Sequence, residues 1–126
     1  MAEQATNQFQ PEERAFLEAI AHKLSGEAGQ RLRSDIEIAR VKRDSDFLAV
    51  DLPGYARPEY RGHHNLPFEG KMRAAYGGAM TVLVNMDPND RLLEVEFIRW
   101  ESLSSVAPDW TTLTVIPRPP MGVSTW

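Results

Sequence analysis

His63 and His64 are the residues whose types could do chemistry in this chain, with Glu59 and Glu69 nearby in sequence. Two imidazoles could hold a transition metal, or one could serve as a general base steered by a carboxylate. The spacing suits neither task. Adjacent residues in an extended chain point to opposite sides, so one ion cannot easily take both rings. Metal signatures set their ligands about two to five residues apart and draw further ligands from elsewhere. The one remaining histidine, His22, falls in a helical pattern far upstream. The His63-His64-Asn65 triplet has the first half of a His–Asn–His nuclease finger without the second. Surface histidines are the reading favoured, and a small metal-dependent hydrolase or nuclease built on His63, His64 and Glu59 is the alternative. The chain has no cysteine, which excludes thiolate metal sites, cysteine nucleophiles and disulfides. It has no phosphate-cradling glycine loop, dinucleotide fingerprint or nucleophile elbow. No catalytic residue, no metal and no cofactor are therefore expected.

Recognition chemistry is better represented. Residues 52–69 form a long connection with Pro53, Pro58 and Pro67 and no sustained periodicity. Structureless connections beyond about 12–15 residues are uncommon in compact domains and are often functional. Tyr55, Arg57, Tyr60 and Arg61 are of the types that anchor protein interfaces. They are expected to be exposed, while Leu66 and Phe68 pack. A second set comes from residues 92–100, where Glu94, Glu96, Ile98 and Trp100 alternate onto one side of a strand. Carboxylates beside apolar anchors suit a basic protein partner, because the charges steer and the aromatic desolvates. Lys71 and Arg73 share that face and could balance the glutamates in an ordinary surface network.

These residues must be positioned by a small set of elements. Pro11 suits a first helical position, and Phe16, Leu17, Ile20, Ala21 and Leu24 make one apolar stripe over residues 11–24. Gly26 is placed to end that helix. A second helix over residues 27–33 would carry Ala28 and Leu32 inward. Strands follow at 36–42, where Ile36 and Ile38 share a face, and at 47–52. Residues 79–86 and 92–100 flank Asp87-Pro88-Asn89-Asp90, whose composition specifies a turn. Pairing Val84 with Leu93, Val82 with Val95 and Met80 with Phe97 puts six apolar residues on one side. A strand over 70–75 joined by a Tyr76-Gly77-Gly78 loop turns Met72 and Ala74 into the core and keeps Arg73 out of it. Residues 111–116 supply a last strand. The expected fold is α+β, with one or two N-terminal helices packed on an antiparallel sheet of about five or six strands.

Length and charge bound the rest. With 126 residues the chain makes one domain, expected over 11–116, between a disordered tail at 1–10 and a proline-rich tail at 117–126. Apolar residues are 42% and charged residues 25%, as in globular proteins. Acidic side chains outnumber basic ones by 18 to 14, which disfavours a nucleic-acid partner. Arg31, Arg33, Arg40, Lys42 and Arg43 are interrupted by Asp35, Glu37, Asp44 and Asp46, and read as a solvated face. The polar start is no secretory signal and no run is long enough to span a membrane, so a cytoplasmic location is expected.

The layout resembles a group of small, uncharacterised bacterial domains. The likeness lies in Pro11-Glu12-Glu13-Arg14-Ala15-Phe16-Leu17, in Phe47-Leu48-Ala49-Val50-Asp51 and in the Leu-Pro-aromatic-Glu-Gly stretch at 66–70. It continues through Arg91-Leu92-Leu93-Glu94-Val95-Glu96-Phe97-Ile98-Arg99-Trp100 to Ala107-Pro108-Asp109-Trp110 and the strand after it. Many such domains carry a Cys-Gly-Cys-type patch where this chain has Lys42-Arg43-Asp44-Ser45, so no thiol role carries over. The resemblance implies no catalytic residue. By analogy with small acidic proteins of this sort, it implies a bacterial immunity protein that occludes the active site of a cognate toxin. A homodimeric or homo-oligomeric adaptor using Trp100 and the proline-rich tail is a further alternative.

Overall fold

The computed structural model describes residues 7–44, 46–59, 62–75, 78–100 and 107–118. Helices α1 (Pro11–Leu24) and α2 (Gly26–Ile38) precede seven strands: β1 (Arg40–Arg43), β2 (Phe47–Asp51), β3 (His64–Asn65), β4 (Phe68–Ala74), β5 (Ala79–Met86), β6 (Leu92–Arg99) and β7 (Pro108–Pro117). The strands form one antiparallel sheet in the order β1-β2-β6-β5-β4-β7, with β3 also paired to β5. Both helices lie on one side of it, which is the α+β architecture the sequence implies.

At its start, the Gln10 amide donates to Glu13 Oε1 at 2.7 Å, and Phe16, Leu17, Ile20 and Ala21 are buried against the sheet. Burying each of the larger of these side chains is worth about 1.5–3 kcal/mol. Glu13 also takes Arg43 of β1 at 2.9 Å, so the helix start is tied to the edge strand. Residues 7–10, expected in a disordered tail, run along that edge. The Val41 amide donates to the Asn7 carbonyl at 2.8 Å and Arg43 to the Gln8 carbonyl at 2.6 Å.

Helix α2 is longer than its composition suggests and is turned differently. Ala28 is exposed, and Gly29, Leu32, Asp35 and Ile36 face inward. The cause is a close helix crossing: a Cβ on Gly29 would stand 2.4 Å from the Ala21 carbonyl oxygen, so only glycine fits there. Ile36 and Ile38, read as the start of a strand, are helical. Two apolar residues at i and i+2 fit the strand period, but on a helix they stand about 200° apart and cannot share a face. Ile36 joins the core, while Ile38 is left 45% exposed.

The registers keep the expected faces and shift by two residues. Val84 pairs with Val95 and Val82 with Phe97, and Met80 faces Arg99. Gly70 pairs with Val82 and Met72 with Met80, so Met72 and Ala74 are buried and Arg73 is exposed. Both shifts are even, and an even shift preserves which side chains share a face. A bulge between Asn85 and Met86 breaks that parity at one end of β6: Glu94 faces Asn85, but Leu92 faces Met86. Leu93 is the extra residue. Leu92, which strict alternation from Glu94 would put on the outward face, is thereby turned wholly into the core. Beyond Gly62 the long connection becomes sheet, since Asn65 pairs with Asn85 and the Leu66 amide donates to the Val84 carbonyl at 2.9 Å.

Both outer strands are poor templates for further pairing. β1 carries Arg40, Lys42 and Arg43. In β7, the stretch from Asp109 to Thr114 lies opposite only Arg73 to Lys71, and proline stands at each end. Among the described residues no helix is long and apolar enough to cross a membrane.

Candidate functional site

The site forms where the β5–β6 hairpin loop meets residues 52–63. Asp87 organises the loop. Its Oδ1 accepts the amides of Asn89 at 2.8 Å and Arg91 at 3.0 Å, an Asx turn of the kind this composition favours. Asp90 takes the left-handed conformation that closes it, at φ 60°. The other oxygen, Oδ2, accepts the Tyr55 hydroxyl at 2.6 Å and Arg57 Nη1 at 3.1 Å.

Arg57 is held here by the bulge. The β2–β6 ladder stops at Ala49 opposite Glu94, and the strands then part. Arg57 Nη2 fills the gap, donating to the carbonyls of Val50 at 2.8 Å and Leu92 at 2.7 Å. Two acceptors that the missing ladder would leave unsatisfied are thus met. Arg91 continues the network on the helix side. Its Nε and Nη2 reach Asp35 Oδ1 at 3.0 and 2.8 Å, and Asp35 Oδ2 accepts the Leu92 amide at 3.0 Å. Two cations stand near the Tyr55 ring, with Arg91 at 4.3 Å and Arg57 at 5.5 Å from its centroid.

These contacts set the protonation states. Burial alone would raise the Asp87 carboxyl. The hydrogen bonds from Tyr55, the Arg91 amide, Arg57 and the Asn89 amide together outweigh it and hold the group below its ordinary value. Burial, followed by the bond to Asp87, raises the Tyr55 hydroxyl. The hydrogen bond to Asp35 raises Arg91 against the opposing effect of burial.

A cavity of about 700 Å³ opens beside this network, a volume in the range of ligand sites. Glu59, His63, Arg57, Asp87, Leu93 and Glu94 line it. The bulge is what aims Leu93 there, and bulges recur beside binding and active sites for this reason. Arg57 and Asp87 satisfy one another. No described cation pairs with Glu59 or Glu94.

The structure separates the remaining candidates. Tyr55 and Arg57, expected to be exposed, belong to the network and are half-buried. Tyr60 and Arg61 lie outside the described residues. The two histidines diverge: His63 lines the cavity, while His64 Nε2 meets Asp90 at 2.8 Å on its own side of the loop. No group of three His, Asp or Glu among the described residues is arranged to hold a metal ion.

On the outward face of β6, Glu94 stands beside Ala49 and Glu96 beside Phe47. Ile98 faces Thr81, whose hydroxyl accepts the Trp100 indole N–H at 2.8 Å. Trp100 is 53% exposed. Lys71 is engaged by Glu69 at 2.8 Å, and the one described side-chain partner of Glu96 is Asn85, at 3.2 Å. The glutamates of β6 therefore keep their charge uncompensated by that lysine.

Asp35, Asp87 and Arg91 were not among the residues singled out by type and spacing. Asp87 carries a signal in retrospect, since Asp-Pro-Asn-Asp specifies a loop with a side-chain acceptor at its first position. Asp35 and Arg91 carry none, because their pairing spans 56 positions of the chain. Comparison of the chain with protein-family models, with curated protein sequences and with solved structures gives no match.

Proposed function

We propose that this chain is a non-enzymatic binding protein that takes a basic protein partner on the outward face of β6, and that it serves as a bacterial immunity protein. In this reading it works in the cytoplasm, occluding the active site of a cognate toxin. The observation that carries the reading is the row Glu94, Glu96, Ile98 and Trp100: two carboxylates with no ion pair to any described residue, followed by an apolar side chain and a half-exposed indole. Phe47 widens the apolar part from the next strand. Carboxylates raise the rate of encounter with a cationic surface, and the indole supplies the area that a hot spot desolvates. The blunted edges of the sheet favour a partner on this face over one added to an edge strand.

The test is protection. Cells expressing the toxin encoded beside this gene should survive when the chain is co-expressed, and should die when it carries Glu94→Lys with Glu96→Lys. A neighbouring gene product that is harmless alone removes the immunity reading. A second reading, a small hydrolase, is favoured only by Glu59 and His63 lining one cavity. Unchanged hydrolytic activity of the purified protein in His63→Ala removes that one.

A further inference from the structure

The cavity beside Arg57 has a chemistry of its own, and we infer that it receives a cationic group on an aliphatic stem, a lysine or arginine side chain of the bound partner. This rests on the binding reading and specifies the partner's chemistry at one point. Among the described residues, three carboxylates and one guanidinium line the space. Arg57 and Asp87 neutralise each other at 3.1 Å, so the uncompensated charge is that of Glu59 and Glu94. Arg57 has little left for an anion, with Nη1 committed to Asp87 and Nη2 to the Val50 and Leu92 carbonyls. That leaves the His63 imidazole as the other described donor side chain on the lining, set against two unpaired carboxylates that repel an anion. A metal ion lacks its donors, since no group of three ligands occurs among the described residues.

The walls add the second half of the specification. Val50, Pro58, Pro88 and Leu93 are apolar, and the carboxylates stand among them. Aliphatic carbons would pack on these walls while the charged head meets Glu59 and Glu94, the division of labour by which long basic side chains bury their stems. The bulge that aims Leu93 inward makes this wall, and the Arg57 bonds across the parted strands keep the space open without a conformational change. The site is therefore preformed, which limits the ordering cost of binding.

The test uses the full chain and four probes: n-butylguanidinium, n-butylammonium, butyrate and 1,4-diaminobutane, titrated while amide chemical shifts are followed. Either monocation should shift the amides of Leu93 and Glu94, and butyrate should not. Glu94→Gln should weaken the cations about tenfold, the loss expected for one charge-assisted contact, and Glu59→Gln should do likewise. Glu96→Gln, outside the cavity, should leave them unchanged. Equal binding of butyrate, or no response at Leu93 and Glu94 to any cation, overturns the inference. A diamine that binds a hundredfold tighter than butylammonium overturns the side-chain assignment in favour of a free polyamine. If the cations fail to bind while Trp100→Ala still abolishes partner binding, the cavity inference falls and the docking reading stands. If the cations bind as expected but Trp100→Ala leaves the complex intact, the reverse holds.

Discussion

Arg91 and Glu94 lie three residues apart on one strand and its loop, yet their charges are handled in opposite ways. Arg91 is gripped by Asp35 through two nitrogens and packed on the Tyr55 ring at 4.3 Å. Glu94 meets no described partner and opens onto a cavity. The same contrast holds between Asp87, whose two oxygens accept four hydrogen bonds, and Glu59. Residue type does not separate structural charge from available charge; saturation of hydrogen bonds does. The saturated cluster closes the gap that the bulge opens in the sheet, and the unsaturated rim is what that closure presents to solvent.

The contrast breaks first at Asp87. Asp87→Ala leaves the Arg57 guanidinium and two loop amides without their acceptor, in a place where the Asp87 side chain is only 3% exposed. Removing one partner of a buried pair costs about 3–5 kcal/mol. Arg57 keeps some access to water, so the lower end, about 3 kcal/mol, is expected from urea unfolding. Loss below 1 kcal/mol would mean that the network is not what holds the loop. Tyr55→Phe keeps the ring beside the two cations and removes the hydroxyl that donates to Asp87 and accepts from Asn89 Nδ2, so a loss of about 1–2 kcal/mol is expected by the same measurement.

Acid and base should act on the same cluster. The folded-state value of Asp87 is depressed below 3.8, so its stabilisation is complete above that value and is lost as pH falls through the lower folded value. Tyr55 is raised above 10.0, so its contribution is complete below pH 10 and is lost as pH rises beyond it. Melting temperature plotted against pH should therefore fall at both ends. Asp87→Asn should flatten the acid fall and Tyr55→Phe the alkaline one. A variant that keeps the full slope on its own side would show that the titration lies elsewhere.

How much of this could be read from the chain follows the range of the interaction. The apolar stripe of α1 and the faces of β4, β5 and β6 follow from periodicity, which is local. The two-residue register shifts were invisible because an even shift leaves every face unchanged. The bulge at Leu93 was invisible for a related reason: either Leu92 or Leu93 satisfies an apolar position, and packing against Met86 decides between them. Tyr55 and Arg57 stood out by type, but their partner Asp87 is 30 or more positions away, so exposure was the natural expectation. The crossing at Gly29 could not be foreseen, because it depends on the backbone of a different helix.

The smallest expected effect is the most informative about the rim. Glu94→Lys with Glu96→Lys reverses two charges on the outward face, with no described ion pair to break and only the Asn85 bond of Glu96 to lose. Surface changes away from buried networks stay within about 0.5 kcal/mol, so the melting temperature should hold near wild type. Affinity for a basic partner should drop steeply, and the drop should shrink as salt is added, because screening acts on exposed charges. Stability measured beside affinity separates the two regions directly: Asp87→Ala should weaken the fold, whereas the charge reversal should weaken the complex while sparing the fold. If the reversal instead destabilised the protein as Asp87→Ala does, Glu94 and Glu96 would belong with Asp87, and the rim would be part of the scaffold.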